Sequence, residues 1–396
     1  MTTRALKMRE STKTHRPAVR RPPFECVALL LQGGGALGAY QAGVYEALTE
    51  ADLQPDWVAG ISVGAINAAL IAGNPPETRV AQLRAFWEAV TGDANWGLMG
   101  DFRAALTKGH DARRFSNRIS AASAMVDGVP GFFAPRLPAP WLQPAGCLEA
   151  TSFYETSQLR TTIERLVDFD RINAGEPRFS IGAVNVRSGN FVYFDTRTHR
   201  IRPEHVLASG ALPPGFPAIE IEGEFYWDGG LVSNTPLQWV LEFGPRQDTL
   251  AFQVDLWSSR GDFPRDLSEV AVRQKEIQFS SRTRANTDQF KNMQRMRSAM
   301  ASVLAKLPKQ LKATPEAALL STMADRKVYN IVQLIYHAAR YEGDSKDYEF
   351  SRASMEAHWR AGYHDAVRTL RQPNVLERPD NLEGVSTFDI AEDGRE

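Results

Sequence analysis

Cysteine is nearly absent: the 396 residues contain only Cys26 and Cys147. Two distant cysteines build neither a disulfide framework nor a thiolate metal cluster, and a reducing cytoplasm fits that usage best. An excess of charge is also missing. Lys and Arg number 46 against 47 Asp and Glu, a formal net charge of −1, which argues against nucleic-acid binding. No aromatic-interleaved basic module contradicts that. Histidine and cysteine show no metal-ligand spacing, so neither metal nor cofactor is expected. Long apolar runs are equally scarce. The charge-free stretch 57–73 approaches the length of a membrane span, but Gly60, Ser62, Gly64 and Asn67 interrupt it. No transmembrane helix is expected. Residues 1–23 are basic and polar without the apolar centre of a signal peptide, and read as a disordered arm. Internal repeats and low-complexity tracts are absent.

Glycine, by contrast, is concentrated where it matters. The apolar run Cys26-Val27-Ala28-Leu29-Leu30-Leu31 leads into Gly33-Gly34-Gly35-Ala36-Leu37-Gly38. A second apolar stretch, Trp57-Val58-Ala59, leads into Gly60-Ile61-Ser62-Val63-Gly64. A G-x-S-x-G between a strand-like and a helix-like run reads as a nucleophile elbow, a turn so sharp that only glycines fit beside the exposed serine. The glycine triplet offers bare backbone N–H groups for a developing oxyanion. Together they suggest a serine ester hydrolase. Gly33, Gly35 and Gly38 also match the dinucleotide pattern G-x-G-x-x-G, but the second strand ends in the elbow where a ribose-binding acid belongs.

Two later segments extend the pattern: Ala208-Ser209-Gly210-Ala211-Leu212-Pro213-Pro214-Gly215-Phe216-Pro217 and Asp228-Gly229-Gly230. In this order, the four motifs resemble the patatin-like phospholipases over roughly residues 24–257. The resemblance implies an α/β acyl hydrolase, a mostly parallel sheet flanked by helices, with a Ser–Asp dyad and no catalytic histidine. By position it makes Ser62 the nucleophile and Asp228 the general base and acid. It places the oxyanion hole on Gly33, Gly34 and Gly35, with Gly38, Gly60, Gly64, Gly229 and Gly230 as motif support. It also implies a lipid or acyl-ester substrate. One departure is Leu37, where many relatives carry Arg or Lys. A triad would need a downstream histidine; His337, His358 and His364 all lie in helix-like segments without a loop signature. Ser209 has no elbow around it.

Strand–helix–strand–helix order over residues 26–72 argues for parallel strands covered by helices. Residues 179–187 and 191–195 read as a hairpin, 225–228 and 249–256 as strands. A Pro-rich apolar segment, 128–146, reads either as a lid with Phe132, Phe133 and Trp141 facing substrate or as a strap packed on the core. Residues 24–260 are thus expected to form the catalytic domain. Beyond them, 261–371 read as a helical C-terminal region, with helices in 267–311, 328–341 and 351–370, and 372–396 as an acidic disordered tail. The helical region resembles the extra C-terminal segment of one bacterial branch of the same family. Its basic residues, among them Arg273, Lys275, Lys291 and Lys306, read by default as a solvated face. The alternative is peripheral contact with an anionic membrane or storage granule. Three functions remain: a cytoplasmic lipid acyl hydrolase, a depolymerase of a storage polyester such as polyhydroxybutyrate using the same dyad, and a non-catalytic surface binder.

Overall fold

The computed structural model describes residues 21–91, 110–280, 283–338 and 345–389. Residues 1–20 of the basic arm and 390–396 of the tail lie outside the described residues. The strands are β1 (Cys26–Leu31), β2 (Trp57–Ile61), the two-residue pair β3 (Ala134–Pro135) and β4 (Tyr154–Glu155), β5 (Arg178–Asn185), β6 (Phe191–Asp195), β7 (Ile219–Ile221), β8 (Glu224–Asp228), β9 (Thr249–Asp255), β10 (Tyr329–Ile335) and β11 (Val385–Phe388). Nine of them form one sheet in the order β11–β10–β9–β1–β2–β5–β8–β7, with β6 also on β5. The five pairings from β11 across to β5 are parallel, while β6, β7 and β8 join antiparallel. This is the mostly parallel, helix-flanked sheet that the sequence implies.

The helices that matter here are α1 (Ala39–Glu50), α2 (Val63–Ala72), α3 (Arg79–Val90), α4 (His110–Asp127), α5 (Ser157–Leu166), α6 (Pro203–Ser209), α7 (Leu267–Phe279), α8 (Thr283–Lys306), α9 (Pro315–Met323) and α10 (Arg352–Leu370). All residues of β1, β2 and α2 are buried. Their lack of charge is the mark of elements covered on every side, as parallel strands between helices must be. At about 25 cal/mol per Å² of apolar surface, this burial is the main source of local stability.

The C-terminal third departs from the expected pattern. Residues 267–279, 283–306 and 352–370 are helical as anticipated. The helix expected over 328–341 is instead strand β10, hydrogen bonded in parallel along the whole of β9. Tyr329-Asn330-Ile331-Val332-Gln333-Leu334-Ile335 is a short apolar run whose periodicity does not separate helix from strand. The open edge of β9 decides, and Asn330, buried on the strand, donates to the Val375 and Glu377 carbonyls at 2.8 and 2.7 Å. Within the tail expected to be disordered, β11 pairs with β10. Four residues with an acidic surround are too few to register as a strand until a neighbour offers an edge. Helix α10 packs on α1 where Gly43 faces the Trp359 carbonyl and Gly362 faces that of Tyr40; a Cβ at either glycine would collide with it.

In the Pro-rich segment, Phe132 and Phe133 are buried in an aromatic group with Tyr154, Phe216 and Phe350. Trp141 is 75 % exposed. The two phenylalanines therefore belong to the core, and only the indole faces outward.

Candidate active site

Strand β5 brings the site together. Strand β2 pairs along its first half, with Ile61 opposite Gly182; β8 takes over at the next residue, with Asp228 opposite Ala183. Strand β6 occupies the other edge over the same stretch, so β2 and β8 follow one another along a single edge. Ser62, one residue past Ile61, therefore meets Asp228, the last residue of β8. The Ser62 hydroxyl comes close enough to the Asp228 carboxyl to favour its charged form.

Ser62 has φ 56° and ψ −127°, a left-handed conformation that a non-glycine residue adopts only when its surroundings impose it. They do. The Ser62 N–H donates to the Ser209 hydroxyl at 3.1 Å, and that hydroxyl donates to the Gly182 carbonyl at 2.7 Å. Ser209, fully buried at the end of α6, thus ties the elbow to β5 and is not itself presented to substrate. A Cβ at Gly60 would strike the Gly64 carbonyl, and one at Gly64 the Leu31 carbonyl. Helix α2 starts at Val63, directly behind the serine, with its positive dipole end toward the site.

Asp228 is 2 % exposed. Burial pushes its carboxyl up to about 7, against the opposing pull of the Ser62 hydroxyl and of the Gly230 amide. The amide bond is 2.7 Å. Desolvation wins because two neutral donors return less than bulk water does to a carboxylate. A group titrating near neutrality exchanges protons far more readily than an ordinary aspartate near 3.9.

The glycine loop is held from three directions. Gly33 N–H donates to the Asn234 carbonyl at 3.3 Å. The Gly33 carbonyl accepts from Asn234 Nδ2 at 3.1 Å and from Trp257 Nε1 at 3.0 Å. Ala36 N–H donates to the Asp347 carbonyl at 2.8 Å, and Asp347 is anchored by an ion pair with Lys275, 2.9 Å. Beneath, buried Gln32 accepts from the backbone N–H groups of Leu256 and Trp257 at 2.6 and 2.9 Å. Of the three amides that the sequence assigns to an oxyanion hole, that of Gly33 is therefore already engaged. Those of Gly34 and Gly35 have no backbone acceptor among the described residues. Gly35 has φ 56°, and a Cβ there would strike the Asp347 carbonyl. Leu37 is buried and brings no cation.

Asn234, Trp257 and Asp347 escaped the sequence reading, and Lys275 enters it only as part of a solvated basic face. Asn234 carried a weak signal, four residues after the Asp-Gly-Gly motif; Trp257 and Asp347 carried none. His358 is buried on α10 against Tyr336, ring centroids 5.2 Å apart. Among the described residues, no group of three or more His, Cys, Asp and Glu side chains is arranged to hold a metal, and no helix is long and apolar enough to cross a membrane.

Known proteins bear on this geometry in three ways. No curated protein matches the chain. Among solved structures, VipD from Legionella pneumophila is 13% identical, with 96% of this chain and 77% of that one covered and a TM-score of 0.39. ExoU of Pseudomonas aeruginosa, in complex with SpcU, is 17% identical, with 76% of this chain and 60% of that one covered and a TM-score of 0.24. A family model described as patatin phospholipase matches residues 277–382. Another, patatin-like phospholipase, matches residues 29–240, more than half of the chain and all of the elements that carry Ser62 and Asp228. The chain therefore belongs to the patatin-like phospholipase family, whose members are lipid acyl hydrolases.

Proposed function

We propose that the protein hydrolyses lipid acyl esters through a Ser62–Asp228 dyad and an acyl-enzyme. One observation carries this reading: a strained, glycine-flanked serine at the end of β2 beside the buried carboxyl that ends β8, a carboxyl raised to about 7. A serine hydroxyl needs a base before it attacks, and an aspartate titrating near neutrality accepts that proton without a histidine.

In the cycle, Ser62 Oγ attacks the ester carbonyl carbon and its proton passes to Asp228. The tetrahedral oxyanion rests on the Gly34 and Gly35 amides and the N-terminal end of α2. The bond to the alcohol breaks, and Asp228 returns its proton to the departing oxygen. Water then gives a proton to Asp228 and attacks the acyl group, and Ser62 leaves with that proton restored. Each oxyanion donor contributes roughly 10²–10³ in rate, enough to offset the modest basicity of a carboxylate. With no cation at Leu37, backbone amides bear this charge. The family supplies lipid as the substrate class.

Turnover of short p-nitrophenyl esters, and its abolition in Ser62→Ala, tests the assignment. A fluorophosphonate probe should label Ser62 and no other residue; a labelled Ser209, or unchanged turnover without Ser62, would sink it. Comparing phospholipid vesicles with polyester granules then resolves the substrate.

A further inference from the structure

We propose that Asn234 and Trp257 are positioning residues that lock the Gly33–Gly34 peptide with its N–H toward the reacting oxygen. This rests on the acyl-hydrolase reading above. A trans peptide holds its C=O and N–H on opposite sides. Two side-chain donors pin the Gly33 carbonyl, Asn234 Nδ2 at 3.1 Å and Trp257 Nε1 at 3.0 Å. That sets the direction of the Gly34 N–H, which has no backbone acceptor among the described residues.

A peptide between two glycines has little resistance of its own to flipping, because neither residue carries a Cβ. A flip would aim the carbonyl, rather than the amide, at the developing negative charge, converting a stabilising dipole into a repulsive one. The two donors are themselves fixed. Asn234 Nδ2 also donates to the Phe279 carbonyl at 2.8 Å, and the Trp257 backbone N–H donates to Gln32 Oε1 at 2.9 Å. Both side chains are buried. Gly33 is wedged between Asn234 Oδ1 and Ser62, whose Cβ would lie 2.9 Å from an added Cβ. The same asparagine thus spans from the nucleophile's neighbour to the turn after Asp228, where an added Cβ on Gly230 would lie 3.0 Å from its Oδ1.

The test uses the full chain with Trp257→Phe, Asn234→Leu and the double variant. Each single change leaves one anchor, so kcat should fall about tenfold with KM within about twofold. Losing both should cost more than the product of the singles, approaching the roughly 10²–10³ of a missing oxyanion donor. A trifluoromethyl ketone, which forms an oxyanion on the nucleophilic serine, should lose affinity in parallel with kcat/KM. A neutral ether analogue of the substrate, which has no carbonyl to become an oxyanion, should bind as before. A purely structural role would lower the melting temperature without this split. If Asn234→Leu does not fold, Trp257→Phe with the ketone decides. Unchanged kcat and ketone affinity in folded variants would overturn the inference alone. A wild type without Ser62-dependent hydrolysis would overturn the parent reading, and this one with it.

Discussion

The elbow core, residues 26–73, and the C-terminal third, from residue 261 onward, join the same sheet with a different balance of contacts. In the core, β1, β2 and α2 are buried throughout, and contact is made backbone to backbone through glycine. The C-terminal third is attached through β10 on the edge of β9, through the glycine contact of α10 on α1, and through ion pairs such as Lys327–Glu25, Arg84–Glu356 and Arg378–Asp248. Its α8 and α9 leave apolar residues exposed, Val303 and Leu319 among them. The contrast teaches where precision is needed. A strained nucleophile must be held by contacts that cannot relax, whereas a buttress tolerates flexible side chains. Three residues of the basic set expected to face solvent or an anionic surface, Arg273, Lys275 and Lys291, instead bond within the protein.

The comparison is broken most severely at the dyad. Ser62→Ala and Asp228→Asn should each lower kcat for p-nitrophenyl esters by at least about 10³-fold, while thermal melting still shows a folded protein.

Gly64→Ala comes next. Its methyl would enter the Leu31 carbonyl, and rigid backbone cannot yield, so destabilisation above about 4 kcal/mol is expected in urea titration.

Acidity separates the regions further. Asp228 is raised to about 7 by burial, and in the proposed cycle its ionised form is the base. On the acid side, kcat/KM should therefore rise with pH along a limb with an apparent pKa of about 7. Folding stability runs the other way. The folded state holds this proton more tightly than the unfolded chain, so the Asp228 contribution weakens as pH rises from about 4 to about 7. Asp228→Asn should accordingly gain melting temperature relative to wild type at pH 8, and that gain should shrink toward pH 4.

Gly384→Ala, in the C-terminal third, faces only a 3.2 Å approach to the Lys327 carbonyl but has φ 68°. A cost of about 1–2 kcal/mol in the same titration would match a left-handed residue without a collision. Lys291→Ala removes one hydrogen bond to Thr387, 2.9 Å, and should change stability by less than about 1 kcal/mol. If it instead rivals Gly64→Ala, the distinction between core and buttress fails.

Much of this was readable along the chain. The strands and helices from Cys26 to Ala72 are strongly apolar and punctuated by glycine, so their types are evident. Ser62 and Asp228 each sit in a local motif. Asn234, Trp257 and Asp347 are different. Each acts by touching the glycine loop from a distant segment, and nothing in its own neighbourhood announces that contact. Residues 328–341 failed for a related reason, since a short apolar run becomes a strand only when an edge is there to receive it.

The sequence by itself determined the elbow and the glycine loop, because their conformations exclude side chains and so must be written as glycine. Only the tertiary structure decided that Gly182 and Ala183 would take Ile61 and Asp228 as successive partners. Strand register is set by the packing of a whole sheet, and that register places a hydroxyl from one strand end against a carboxyl from another.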